Sequence, residues 1–91
     1  MTEQELIDLG FKKIIVKDEE SGNGYDYYYY VVDIIEGLSL TSIADDEVED
    51  GAWYVMNHEW PHAKIKDAES IESLAVLAVC LLTSWYILMA N

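Results

Sequence analysis

Two histidines and a glutamate in the second half of the chain have the spacing of a metal site. His58-Glu59-Trp60-Pro61-His62 matches the H-E-x-x-H pattern of zinc metalloproteases, in which a helix places both histidines on one face and the glutamate is the general base. Pro61 lacks a backbone N–H and restrains the residue before it to extended conformations, so the segment does not suit a helix. We expect ordinary surface histidines and no metal, with a metal-dependent hydrolase as an alternative.

Other groups capable of chemistry also lack the required surroundings. Residues 45–51 form an acidic run, but an EF-hand loop beginning at Asp45 would need Gly and Glu where Asp50 and Met56 stand. The run is therefore predicted to be a solvated acidic turn. Cys80 lies in an apolar segment, where a thiol is normally inert. Ser39, Thr41 and Ser42 have no neighbouring base in the sequence. We predict no catalytic residues, no cofactor and no enzymatic activity.

The charge of the chain restricts its partners. Eighteen acidic residues and five lysines give a net charge of −13, and the 91 residues include no arginine. Such a surface repels nucleic-acid backbones and anionic lipids, and it attracts basic proteins. The single cysteine and an acidic N-terminal segment, without the layout of a signal peptide, predict a cytoplasmic protein.

A tyrosine-rich stretch has the strongest claim to a binding role. Residues 25–35 consist of aromatic and β-branched side chains with two aspartates, and neither face of such a strand would be polar. Either both faces are covered, or one of them is an exposed aromatic surface. An exposed face bordered by carboxylates suits a basic protein partner. The candidate partner-binding residues are Tyr27, Tyr29, Asp26, Asp33, Asp45, Asp46, Glu47, Glu49 and Asp50.

The elements that would position these residues form one α+β domain over residues 1–91. We predict a short N-terminal helix at residues 2–9, with a Thr2–Glu5 capping box and Gly10 at its end. Alternation of apolar residues predicts an antiparallel meander of four to five strands at residues 11–17, 25–35, 38–43 and 52–59, with a short edge strand at 62–66. Residues 18–24 are expected to form a turn.

A long apolar C-terminal helix is expected to pack across the sheet. Asp67 is a suitable N-cap for residues 68–90, and Ile71, Leu74, Ala78, Leu81, Trp85 and Leu88 form a continuous stripe. The eighteen residues 74–91 carry no charge. The rest of the circumference needs a cover, which the N-terminal helix, a second copy of the chain or a bilayer could provide. A membrane is the least favoured of these, because no Lys or Arg flanks the segment.

Three segments carry a resemblance to other proteins. They are residues 2–11 (Thr-Glu-Gln-Glu-Leu-Ile-Asp-Leu-Gly-Phe), the Glu-Glu-Ser-Gly and Tyr-Tyr-Tyr-Tyr motifs, and residues 46–55 (Asp-Glu-Val-Glu-Asp-Gly-Ala-Trp-Tyr-Val). Over roughly its first sixty residues, the chain resembles small acidic uncharacterised proteins encoded by bacteriophages and prophages. Some proteins of this class, including anti-CRISPR proteins, occupy the basic groove of a host nuclease. The resemblance implies such an inhibitor, and no catalytic residue carries over.

The sequence therefore leads to one main expectation of function. We expect a non-enzymatic protein that inhibits a bacterial defence nuclease, such as a CRISPR effector, by binding its basic nucleic-acid-binding surface. The alternatives are a structural module that forms a homodimer through the helix at residues 74–91, and a small membrane-anchored protein.

Overall fold

The computed structural model describes residues 1–22 and 24–90, of which residue 79 and residues 81–90 are described by their backbone alone. Five strands form one antiparallel sheet and lie side by side in chain order. The α+β meander predicted from the alternation is confirmed. The elements are α1 (Glu3–Asp8), β1 (Lys12–Val16), α2 (Asp18–Ser21), β2 (Tyr27–Ile35), β3 (Leu38–Ser42), a 3₁₀ turn (Asp45–Glu47), β4 (Val55–Asn57), β5 (Trp60–Ile65) and α3 (Ala68–Ala90).

Local signals set both ends of α1. The Thr2 hydroxyl accepts a hydrogen bond from the Glu5 backbone N–H at 3.2 Å, and the Glu5 carboxylate accepts one from the Thr2 N–H at 3.1 Å. Gly10 follows with a φ of 91°, a left-handed conformation that glycine adopts without steric cost. The predicted capping box and glycine stop are therefore confirmed.

The hydrophobic core lies on one side of the sheet. Tyr30 of β2, Leu40 of β3 and Val55 of β4 face it, and Leu6 of α1 and Ile71 of α3 cover them. Trp53 lies in this core beside Tyr30, with ring centroids 5.6 Å apart. Because side chains alternate along a strand, the neighbours of these residues face the opposite side of the sheet.

The first part of the tyrosine-rich stretch departs from the prediction. Strand β2 begins at Tyr27 and not at residue 25, because the Asp26 carboxylate accepts the Asp18 backbone N–H at 2.8 Å and closes a loop before the strand. The predicted turn at residues 18–24 contains a short helix, α2, which Gly22 ends with a φ of 72°. One helical turn is too short to produce a recognisable apolar period in the sequence.

The boundaries of β4 and β5 also differ from those predicted. Strand β4 is only Val55–Asn57, because Ala52 closes a tight turn with Glu49 and the Trp53 N–H donates to the Met1 carbonyl at 2.8 Å. Strand β5 is Trp60–Ile65, so it begins before the predicted edge strand at residues 62–66 and includes Pro61. Pro61 is tolerated because β5 is an edge strand, where a backbone N–H can be missing on the solvent side.

Helix α3 starts at the predicted cap. The Asp67 carboxylate accepts the Ser70 backbone N–H at 2.8 Å. Ile71 and Ala78 are buried and Leu74 packs against the core, so the first part of the predicted stripe faces the sheet. The remaining members of the stripe, Leu81, Trp85 and Leu88, lie outside the described side chains.

Candidate protein-binding face

The sheet has one covered face and one face that no described helix covers. The second, which we call the open face, consists of Tyr27, Tyr29, Val31, Thr41, Tyr54 and Met56. These side chains line a shallow depression of about 540 Å³, which Glu47 and His58 also border. All six are half-buried, as expected of residues that pack against neighbouring strands but carry no second layer. Of the two arrangements that the sequence left open, the described part of the chain corresponds to the second, an aromatic face without a covering layer.

Strand register holds the open face together. Tyr29 pairs with Ile14 of β1, and Val31 pairs with Thr41, which in turn pairs with Met56. The centre of the face is therefore a row of cross-strand neighbours over three strands, Val31, Thr41 and Met56, which Lys12 of β1 extends at the edge. Such a broad surface, aromatic at one end and aliphatic at its centre, presents contact area without enclosing a small ligand.

An acidic turn is fixed to one end of this face by hydrogen bonds to β2. Strand β3 pairs with β2 only from Val31 onward, so the preceding N–H groups of β2 need other acceptors. The Ser42 hydroxyl accepts from the Tyr30 N–H at 2.8 Å, and the Asp45 carboxylate accepts from the Tyr28 N–H at 2.8 Å. Asp45 therefore has a structural role that holds the 3₁₀ turn against the strand.

Tyrosine hydroxyls hold two further carboxylates. Tyr25 donates to Asp46 at 2.7 Å, and this hydrogen bond to a negative group raises the pKa of the Tyr25 phenol. Tyr30 donates to Glu3 at 2.6 Å, and burial, reinforced by this bond, strongly raises the pKa of the Tyr30 phenol. Both phenols stay protonated at neutral pH, so each remains a hydrogen-bond donor to its carboxylate.

Asp26 and Lys17 form the only ion pair among the described residues. Lys17 Nζ is 3.5 Å from the Asp26 carboxylate, and both side chains are more than half exposed. The hydrogen bond from the Asp18 N–H is the main cause that lowers the pKa of Asp26, and Lys17 adds to it. Asp26 therefore stays ionised well into the acidic range, although its interaction with Lys17 is worth little in water.

The structure groups the nine candidate binding residues unevenly. Tyr27, Tyr29 and Glu47 border the same depression. Asp33 lies on the same side of β2 near its other end, and it is exposed. Asp26, Asp45 and Asp46 lie near the end of the open face where β2 starts, bound as described above.

Glu49 and Asp50 do not belong to the open face. They border a second depression of about 480 Å³ together with Lys64 and Lys66, and Glu47 and Tyr54 line both depressions. Asp50 and Gly51 both have positive φ, of 53° and 70°, as in a tight two-residue turn. These two carboxylates therefore face lysines of their own chain.

The histidine motif lies in a hairpin. Residues His58 and Glu59 form the turn between β4 and β5, and His62 is on the exposed edge strand. The helical geometry that the metalloprotease pattern needs is therefore missing from this segment. Among the described residues, no three His, Cys, Asp or Glu side chains are grouped so as to hold a metal ion.

No family model, curated protein or solved structure matches this chain. Of the helices within the described part of the chain, none combines the length and apolar character needed to cross a membrane.

Four residues of the open face were missing from the sequence-based set. They are Val31 of β2, Thr41 of β3, Tyr54 directly before β4 and Met56 of β4, and the structure brings them next to Tyr27 and Tyr29. The signal that could have identified Tyr54 and Met56 is the alternation in residues 53–56, where these two residues alternate with Trp53 and Val55. Only the position of the core shows which of the two pairs is exposed.

Proposed function

We propose that this chain is a non-enzymatic interaction protein that binds a basic surface of another macromolecule through the open face and the carboxylates at its ends. The observation that supports this most directly is the combination of an uncovered aromatic sheet face with Glu47 and Asp33 beside it. Aromatic residues provide large contact area at low entropic cost, and carboxylates steer cationic partners towards it.

The distribution of the lysines supports the same proposal. All five are on the two edge strands or directly after them: Lys12, Lys13 and Lys17 at β1, and Lys64 and Lys66 at β5. Lys13 lies 3.9 Å from the centre of the Tyr28 ring on the covered side, and Lys64 lies 4.9 Å from that of Tyr54. The three central strands therefore carry no lysine, and the lysines nearest the open face, Lys12 opposite Val31 and Lys64 over Tyr54, lie at its margins.

The resemblance to small acidic phage proteins gives the proposal a specific form. A phage-encoded inhibitor would bind the nucleic-acid-binding groove of a bacterial defence nuclease, such as a CRISPR effector, and thereby exclude its nucleic acid. A groove that binds phosphates carries excess positive charge, which a protein of net charge −13 complements. Inhibition would then require binding alone, with no reaction on the partner.

Charge reversal at Glu47 tests this function. Glu47 is exposed beside Tyr27 and Tyr29, whereas Asp45 and Asp46 have structural hydrogen bonds that reversal would break. The basic partner is captured from a bacterial host and then purified. The affinity of Glu47→Lys for this partner should be about tenfold lower than that of the parent protein. The affinity of the parent protein should also decrease steeply as the salt concentration rises. Glu72→Lys is the matched control, because Glu72 is exposed on α3, away from the open face.

Two outcomes would contradict the proposal. If Glu47→Lys and Glu72→Lys weaken binding equally, only the net charge matters and the open face is not the binding surface. If affinity is unchanged between low and high salt, the carboxylates do not contribute to it.

A specific observation favours a second candidate, a structural module that forms a homodimer through α3. Val76 and Leu77 are 63% and 56% exposed on the described part of this helix, and Cys80 is exposed beside them. Two helices that paired through these residues would bury apolar surface now in contact with water. Sedimentation equilibrium separates the two candidates: a monomer at high micromolar concentration eliminates the dimer, and Leu77→Lys should dissociate one that forms.

A further inference from the structure

We infer that the open face receives an α-helix of the partner, one with an apolar stripe and with Lys or Arg at its ends. This inference rests on the proposed function and specifies the element that the partner contributes. Its starting point is that the sheet already binds helices on its covered side, through Leu6 of α1 and Ile71 of α3. The opposite side offers Tyr27, Tyr29 and Met56 without such a layer.

The edges of the sheet do not favour the addition of a strand. Lysines and prolines on an edge strand are common devices against edge-to-edge pairing. Strand β1 carries Lys12 and Lys13, and β5 carries Pro61 and Lys64. Pro61 has no N–H with which to pair. A partner therefore finds its apolar contact area on the face of the sheet.

A second copy of the chain is a poor occupant of the open face. Both copies carry a net charge of −13, and symmetric pairing through this face would bring two Glu47 carboxylates and two Asp33 carboxylates into the same interface. Like charges brought together in an interface oppose association. The occupant that this face complements is therefore cationic.

The dimensions of the face fit a helix of three to four turns. From Tyr27, beside Glu47, to Asp33 the strand advances six residues, or about 20 Å. A helix of about 13 residues has that length, and its diameter of about 10 Å fits within the width of five strands, which is about 19 Å. Cations at its two ends would meet Glu47 and Asp33, and apolar residues between them would contact the aromatic and aliphatic centre.

Two synthetic peptides test the inference. The first is a 14-residue peptide of Leu and Lys whose leucines form one helical stripe. The second has the same composition and charge but alternates L and D residues, so it cannot form a right-handed α-helix. We expect the helical peptide to bind at least about tenfold more tightly in titrations at low salt. Backbone amide shifts on binding should concentrate in β2, β3 and β4.

Three substitutions test whether the helical peptide binds to the open face. Tyr29→Ala should weaken binding of the helical peptide about tenfold. Thr41→Lys should weaken it as much by placing a cation at the centre of the face, and it removes no core residue. Ile15→Ala is the control, because Ile15 is 52% exposed on β1 and pairs with the core-facing Tyr28.

The outcomes separate this inference from the proposed function. Equal affinities for the two peptides, with Glu47→Lys still weakening both, would overturn the helix and leave the basic partner in place. Failure of both peptides to bind at low salt would overturn both proposals. Shifts confined to α3, or binding insensitive to both Tyr29→Ala and Thr41→Lys, would overturn the helix site on this face.

Discussion

Removal of the Ser42 hydroxyl should destabilise the protein more than removal of the hydroxyl of any other serine in the sheet. Ser42 and Tyr30 are 5% and 2% exposed, and the Ser42 oxygen accepts the Tyr30 N–H while donating to the Ile43 carbonyl, both at 2.8 Å. Ser42→Ala leaves the buried N–H without its acceptor. An unsatisfied buried donor costs about 1–3 kcal/mol.

This cost is large for a domain of 91 residues. Its free energy of unfolding is expected to be about 5–14 kcal/mol. A loss of about 2 kcal/mol would lower the melting temperature by roughly 8–16 °C. Denaturant and thermal unfolding can be followed by near-UV circular dichroism, because Trp53 is 5% exposed and lies 5.6 Å from the Tyr30 ring.

Ser39→Ala is the matched control for Ser42→Ala. Ser39 lies on the same strand but is half-exposed, so the change should alter the free energy of unfolding by less than about 0.5 kcal/mol. If the two variants were equally stable, the Ser42 hydroxyl would not be the acceptor that keeps β2 in place beside the acidic turn. The position of Asp45 against β2 would then need another explanation.

Two further predictions concern carboxylates and their donors. Asp67→Asn keeps an oxygen that can accept the Ser70 N–H, but it cannot titrate. In the parent protein this hydrogen bond lowers the pKa of Asp67 below its usual 3.8. The charge of Asp67 therefore contributes to the free energy of unfolding above pH 3.8, and this contribution is lost as the pH falls through the pKa of the folded state. The stability difference between parent and variant, measured by denaturant unfolding, should therefore shrink between about pH 5 and pH 2, and a constant difference would contradict it. Tyr30→Phe should lower the free energy of unfolding by about 1 kcal/mol by removing the donor to Glu3, whereas Tyr25→Phe, at an exposed site, should lower it less. Similar costs in the two variants would show that burial of the Tyr30 bond adds nothing.

Local signals made parts of the fold predictable. The Thr2–Glu5 capping box, Gly10 and Asp67 each act within a few residues, so the sequence alone located the starts of α1 and α3 and the end of α1. Period-two alternation located the strands for the same reason, because it depends on neighbours along the chain. Where alternation continued past the real end of a strand, as at Tyr25, the predicted boundary was wrong.

Interactions between distant residues were not predictable from these signals. Both faces of β2 are apolar, so only the positions of Leu6, Trp53 and Ile71 show which face is covered. Asp45 looks in the sequence like one more solvated carboxylate. Its bond to the Tyr28 N–H depends on β3 separating from β2, which no local pattern encodes.

The way in which the carboxylates are held is consistent with a role in attracting a cation. Asp45 and Asp67 accept backbone N–H groups, and Asp46 and Glu3 accept tyrosine hydroxyls. Such donors orient a carboxylate without neutralising it, whereas a lysine partner would cancel its charge. The described residues contain one ion pair, Lys17–Asp26, so most of the net charge of −13 acts on the surroundings.

That arrangement has a cost, since uncompensated like charges destabilise the folded state. A protein selected for stability alone would gain from lysines on its central strands, yet all five lie at the sheet edges. Lysines at the edges of a sheet oppose strand pairing, and their placement there leaves the three central strands without cations. The same partition of charge would oppose edge-to-edge pairing of the sheet and would leave its aromatic face accessible to the basic partner that we propose.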